Sequence, residues 1–81
     1  MLKIYGTMLC KDCVACTEQF NKAGREYTFL EFSENLLWLK EFLAIRDREP
    51  QYEQVKAEGR IGIPCIVDEK GMVSLDWESY L

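Results

Sequence analysis

The sequence predicts a single α/β domain, residues 1–81, in which helices flank a four-stranded mixed sheet. Three observations favour this class. Short β-prone stretches alternate with longer stretches of helical periodicity, in the order β-α-β-α-α-β-β-α. The first two strands enclose a helix, so we expect them to be parallel. The last two are separated only by the turn at residues 68–71, so we expect a hairpin.

The predicted strands are stretches rich in β-branched and aromatic residues. They cover residues 2–5, 27–32, 63–67 and 72–75. The first predicted helix covers residues 11–23, because Cys13, Cys16 and Phe20 follow one another at helical spacings and Gly24 suits the position after a helix end.

The second predicted helix extends to about residue 46 and begins behind Ser33 or Asn35 as a possible cap. Its amphipathic character is carried by Leu36, Leu39 and Leu43. Further apolar residues lie beside this stripe: Trp38, Phe42 and Ile45.

A third, short helix is predicted to begin at Pro50 and to end at Gly59, with Tyr52 and Val55 facing inward. The last helical turn, through Tyr80, is expected to be capped by Asp76.

Composition excludes several classes of protein. The net charge of −4 disfavours a nucleic-acid-binding surface, which requires a basic patch. No stretch is apolar enough to span a membrane, and the first residues lack the pattern of a secretory signal, so we expect a cytoplasmic protein. The chain has no histidine, which removes Ser-His and Cys-His catalysis and imidazole metal ligands.

The segment Cys10-Lys11-Asp12-Cys13 carries the strongest functional signal, because it follows the first predicted strand and opens the first predicted helix. Unpaired amides and the helix dipole stabilise negative charge at a helix N-terminus. Thiols at such positions are nucleophilic near neutral pH. The second sulfur lies one helical turn further on, within reach of a disulfide. The pattern therefore predicts thiol–disulfide exchange.

Two further cysteines leave an alternative open. Cys16 extends the motif to C-x-x-C-x-x-C, and Cys65 could supply a fourth thiolate to a zinc site or cluster. We expect both to be buried core thiols instead. Cys16 shares a helix face with Phe20, and Cys65 would point away from the first two cysteines if Pro64 faces them.

The chain resembles the glutaredoxin family, which has the thioredoxin fold. The resemblance rests on the strand-to-CxxC spacing of Ile4 through Cys13, on the aromatic strand at residues 27–32 and on Gly62-Ile63-Pro64. The last segment stands where the family has a Thr-Val-Pro sequence with a cis-proline. The resemblance covers essentially the whole chain.

The resemblance implies that Cys10 is the nucleophile and Cys13 the resolving thiol. It further implies that Pro64 lies against the sulfurs and that the backbone of Ile63 pairs with an extended thiol substrate. Arg60 and Asp76 match positions that contact glutathione. No bound cofactor or metal is implied, and glutathione is a possible co-substrate.

The expected partners are therefore a disulfide-bearing protein or glutathione, together with a reductant that is glutathione or a thioredoxin-reductase-like enzyme. We expect neither a nucleic acid nor a membrane as a partner. The chain departs from the family at Thr7, where many glutaredoxins have lysine, and at Val73-Ser74, near the position of the family's Gly-Gly. The rival function is that of a thiolate metal-binding or cluster-assembly module.

Overall fold

A computed structural model describes residues 1–81 and has a four-stranded mixed sheet with helices packed on its faces. The strands are β1 (Leu2–Gly6), β2 (Tyr27–Glu31), β3 (Cys65–Val67) and β4 (Val73–Ser74). The helices are α1 (Lys11–Lys22), α2 (Leu36–Arg48) and α3 (Glu53–Ala57), with 3₁₀ turns at Pro50–Tyr52 and Trp77–Tyr80. The α/β class is thus confirmed, although the last predicted helix is a 3₁₀ turn. None of the helices has the length and apolar character needed to cross a membrane.

The strand order is β2-β1-β3-β4. β1 and β2 are parallel, with Gly6 opposite Glu31. β1 and β3 are antiparallel, with Tyr5 opposite Cys65, and β3 and β4 form the predicted hairpin. β3 begins two residues later than expected, because the chain at Ile63 has not yet entered the sheet. The carboxyl end of β1 and the amino end of β3 therefore meet at one edge of the sheet.

Alternation along the strands divides the core between the two faces of the sheet. The buried residues of the α1 face are Leu2, Ile4, Cys16, Phe20 and Ile66. The buried residues of the face that α2 and α3 cover are Tyr5, Leu30, Phe42, Ile45, Tyr52, Val55 and Cys65. Each face thus has its own apolar cluster, with the sheet between them.

The buried face of α2 differs from the stripe that the sequence suggested. Phe42 and Ile45 are buried, whereas Leu36 and Leu43 are exposed to solvent. The prediction for the stripe was wrong because apolar residues occur on both sides of this helix, and only one side meets the sheet. Asn35 caps the helix as expected, and its side-chain oxygen accepts two amides of the first turn at 2.9 and 3.3 Å.

Candidate dithiol site

Cys10 lies at the N-cap of α1, in an extended conformation, with its side chain half-buried. Its carbonyl accepts the first helical hydrogen bond, from Val14 N–H at 3.1 Å. The three amides between them, of Lys11, Asp12 and Cys13, have no partner within the chain. Cys10 therefore stands at the positive end of a helix dipole, where the first turn has three unpaired N–H groups, a position that favours an anion. Its side chain makes no cap hydrogen bond to these groups.

Cys13 follows one turn later and is 0% exposed. Its Sγ packs against the backbone of Gly6, because a Cβ atom built on that glycine would lie 2.7 Å from the sulfur. The Cys10 side chain is its hydrogen-bonding neighbour on the outer side. Since Cys13 is enclosed by the strand and by Cys10, a bulky substrate in solution has access only to Cys10.

The two sulfurs differ in their surroundings. Burial, assisted by the neighbouring Cys10 and opposed by the Thr7 amide, raises the pKa of Cys13 to about 12. Cys13 is therefore a protonated thiol at neutral pH. A solvent-accessible, half-buried sulfur at a helix N-terminus with a protonated thiol behind it can attack a disulfide and then be released from it.

Pro64 lies at the same edge of the sheet as the dithiol. Tyr5 opposite Cys65 is the last pair of β1 and β3, and the next residues on the two chains are Gly6 and Pro64. Pro64 is buried, and the peptide bond that joins it to Ile63 is cis. The N–H and C=O groups of Ile63 make no hydrogen bond within the chain. They are available to a partner.

The loop before Pro64 is held by two side chains that the sequence did not reveal as site residues. Arg46 donates to the carbonyls of Arg60 and Ile61, at 2.5 and 2.9 Å. The Tyr52 hydroxyl donates to the Gly62 carbonyl at 2.6 Å. Gly62 has φ +89°, and a side chain there would overlap the Tyr52 ring. The backbone that leads to Ile63 is thus fixed from the α2 and α3 side.

Of the two more distant predicted site residues, Asp76 lies at the dithiol end of the sheet. Ser74 pairs with Ile66, so the chain beyond β4 reaches the level of Pro64. The Asp76 side chain makes no cap hydrogen bond, so the predicted capping role was wrong. The 3₁₀ turn is short, and its backbone bonds suffice.

Arg60 is exposed, and its guanidinium bonds to Glu58, with Nε and Oε1 2.7 Å apart. Its Nε therefore serves an ion pair on the surface rather than the dithiol. A role for Arg60 in binding a substrate requires that this exposed pair opens, which costs little because solvent screens surface ion pairs.

Cys16 and Cys65 are both buried, as expected, but on opposite faces of the sheet. Cys16 lies with Phe20 on the α1 face, and Cys65 lies with Tyr52 on the other. Burial raises the pKa of each thiol to about 11, and for Cys65 the Tyr52 hydroxyl opposes the shift. No three side chains of the types that bind metals lie together. The sheet separates Cys65 from Cys13 and Cys16 of α1.

A shallow surface depression lies away from the dithiol. It is lined by Met1, Gly24, Arg25, Glu26 and Glu69. These residues precede β1, follow α1 or lie in the β3–β4 turn, all at the opposite end of the sheet from Cys10. The depression is therefore not part of the candidate site.

Two polar residues near Cys10 were not recognised as site residues. Thr7 accepts the Cys10 amide through its carbonyl at 3.1 Å. Glu31 accepts the Met8 amide at 2.8 Å. The parallel pairing of β1 with β2 could have pointed to Glu31. This pairing places Glu31, the last residue of β2, beside Gly6, which directly precedes the loop.

Comparison with known proteins finds a related sequence, but the description of that protein names no function. No family model matches the chain, and no solved structure does. A protein of Haemophilus influenzae described as uncharacterized is 31% identical over 67 residues, which span 83% of this chain and 78% of the relative. The chain therefore belongs to the same family as this H. influenzae protein.

Proposed function

We propose that the protein is a glutaredoxin-like thiol–disulfide oxidoreductase of the thioredoxin fold, acting in the cytoplasm. Its substrate is a disulfide-bearing protein or a mixed disulfide of glutathione. Cys10 is the attacking residue and Cys13 the resolving residue. The observation that carries the proposal is the asymmetry of the two sulfurs: one is half-buried beside three unpaired helix amides, and the other is enclosed behind it.

The first step is attack of the Cys10 thiolate on one sulfur of the substrate disulfide. A bond forms between Cys10 Sγ and that sulfur, the substrate S–S bond breaks, and the other substrate sulfur leaves as a thiolate that takes a proton from water. The unpaired amides at the start of α1 stabilise the negative charge on Cys10 before the attack. The product of this step is a mixed disulfide.

In the second step Cys13 gives its proton to water and attacks Cys10 Sγ. The mixed disulfide breaks, the second substrate thiolate leaves, and Cys10 and Cys13 are joined by a disulfide. The substrate has gained two electrons and the protein has lost two. Glutathione or a thioredoxin-reductase-like enzyme returns two electrons and restores both thiols.

Substrate binding is assigned to the edge formed by Ile63 and Pro64. The free N–H and C=O of Ile63 suit an extended chain that pairs with them, as in the addition of a strand. Asp76, with its free carboxylate at the same end of the sheet, suits an amino group of the substrate. The metal-module alternative is weaker, because Cys65 is on the far face of the sheet from Cys16.

The test is reduction of insulin disulfides, and of bis(2-hydroxyethyl) disulfide, with dithiothreitol as the electron source. Wild-type protein should accelerate both reactions. Cys10→Ser should reduce the rate to that without protein, because the other three thiols are buried. Cys65→Ser, with its change on the opposite face, is the matched control and should retain activity. A Cys10→Ser protein as active as wild type, or an inactive wild type, would refute the proposal.

A further inference from the structure

Glu31 lies at the carboxyl end of β2, beside the loop that leads to Cys10. Its backbone pairs with Gly6, and its side chain reaches past the end of β1. One carboxylate oxygen accepts the Met8 amide at 2.8 Å, and the other accepts the Ser33 hydroxyl at 2.7 Å. An acidic side chain thus joins the second strand to the loop that presents the nucleophile.

Three of the four amides of this loop make a hydrogen bond. The fourth, the Thr7 N–H, directly follows Gly6, against which the Cys13 sulfur packs, and it lowers the pKa of that thiol. The Leu9 N–H bonds to the Thr7 hydroxyl at 3.2 Å, and the Cys10 N–H bonds to the Thr7 carbonyl at 3.1 Å. These partners belong to the loop itself or to α1. The Met8 N–H is the exception, since its partner is Glu31 on β2.

The charge on Glu31 suits this role. Its partial burial alone would raise the pKa, but hydrogen bonds from Ser33 and Met8, with a contribution from the Thr7 hydroxyl, lower the pKa below its usual value. The carboxylate is therefore ionised at neutral pH. Hydrogen bonds to an ionised acceptor are roughly twice as strong as neutral ones.

We infer that Glu31 is the positioning residue of the dithiol: its carboxylate holds the Thr7–Cys10 loop so that the start of this loop, after Gly6, stays beside the Cys13 sulfur. This inference rests on the proposed function. The Thr7 amide stabilises the negative charge that Cys13 acquires when it resolves the mixed disulfide. Loss of the Glu31 carboxylate leaves Met8 N–H without its partner and lets the loop move, so the resolving step suffers more than the attack.

The two steps can be followed separately with 5,5′-dithiobis(2-nitrobenzoic acid). Attack by Cys10 releases one coloured thiolate, and resolution by Cys13 releases the second. Cys16 and Cys65 are fully buried and do not contribute on the same timescale. Stopped-flow absorbance therefore gives one rate for each sulfur. In Glu31→Ala we expect the second phase to slow by roughly tenfold, as for loss of a hydrogen bond to a charged group, with a smaller change in the first.

Two further variants separate positioning from general structural damage. Glu31→Gln keeps one oxygen for the Met8 amide but loses the charge, so it should recover only part of the second-phase rate. Glu34→Ala removes an exposed carboxylate that has no side-chain bond, and should behave as wild type. Thermal unfolding of each variant reports whether the fold is intact.

Equal slowing of both phases in Glu31→Ala, or wild-type rates in that variant, would overturn the inference. If Glu31→Ala does not fold, Glu31→Gln decides: a second phase slowed about threefold supports the role of the charge, and an unchanged one refutes it. A wild-type protein without two-phase release would instead refute the proposed function. The two failures are therefore distinguishable.

Discussion

The cysteines at the start of α1 and the cysteines of the core differ in what surrounds their sulfur atoms. Cys10 faces unpaired amides and solvent, and Cys13 has Cys10 and the Thr7 amide as neighbours. Cys16 packs among apolar side chains, and the only polar neighbour of Cys65 within hydrogen-bonding reach is the Tyr52 hydroxyl. Burial is common to three of the four thiols, so burial does not distinguish a reactive sulfur from a structural one. What distinguishes the first pair is that Cys10 reaches solvent and that Cys13 is in contact with Cys10.

Among the variants that test this difference between the two groups of cysteines, we expect the largest effect from Cys13→Ser. A serine cannot displace the substrate from Cys10, so the mixed disulfide should accumulate to nearly one substrate thiol per chain. Intact-protein mass spectrometry after reaction with a disulfide peptide measures the adduct, and peptide mapping should place it on Cys10. Cys16→Ser under the same conditions should show no lasting adduct. An adduct on Cys65 would contradict the assignment.

Alkaline pH should weaken the fold through the buried thiols. Burial raises the pKa of Cys16 and Cys65 from 9.0 to about 11 in the folded state. The unfolded state therefore loses protons first, and stability that is fully present below pH 9 falls as the pH rises to about 11. Urea unfolding at pH 8, 9, 10 and 11 measures this loss. Replacing both cysteines with alanine should make the loss smaller, while Cys13 and Tyr5, whose pKa values burial raises to about 12, still contribute. An unchanged midpoint over this range would contradict the prediction.

Gly6→Ala should disturb the reactive pair directly. The new Cβ would lie 2.7 Å from Cys13 Sγ and 3.4 Å from the Phe29 ring, so the sulfur must move. Overpacking of this kind costs about 1–3 kcal/mol of stability, and we expect slower resolution of the mixed disulfide. Denaturant unfolding and the second phase of dye release measure the two effects. Lys3→Ala, at an exposed position of the same strand, should change neither; equal effects of both variants would refute the proposed contact.

The smallest effects are expected from Cys16→Ala and Cys65→Ala. Each removes one buried sulfur and leaves a small cavity, which should cost about 1–2 kcal/mol by analogy with other truncations in protein cores. Disulfide reductase activity should be unchanged, because neither sulfur reaches Cys10. Measuring the free energy of unfolding and the turnover rate of each variant tests both expectations. Loss of activity in a variant that remains folded would show that the replaced cysteine takes part in the reaction and would contradict its assignment to the core.

Much of the architecture was predictable because local patterns determine it. The strand before Cys10, the helix after it, the parallel pair and the hairpin all follow from periodicity and from turn residues. The buried stripe of α2 was not predictable in this way. Leu36 and Phe42 are both apolar, and only the packing of the helix on the sheet decides that Phe42 is the buried one.

The supporting residues of the site were beyond local patterns for a related reason. Glu31 acts on Met8 through a contact 23 residues apart in the chain, and Arg46 acts on Ile61 across 15. Such contacts depend on strand register and on how the helices lie on the sheet. The sulfur pair was visible because its two members are close in sequence, whereas the groups that hold it are not.

The hydrogen bonds from Arg46 and Tyr52 to the Arg60–Gly62 segment have a further consequence for the binding of a partner. A flexible recognition segment must be ordered when a partner arrives, and that ordering subtracts from the affinity. Here the chain beside Ile63 has its shape before any encounter. On the proposed function, a peptide that pairs with Ile63 loses its own conformational, translational and rotational freedom, but this segment needs no ordering, so more of the interaction free energy remains for binding.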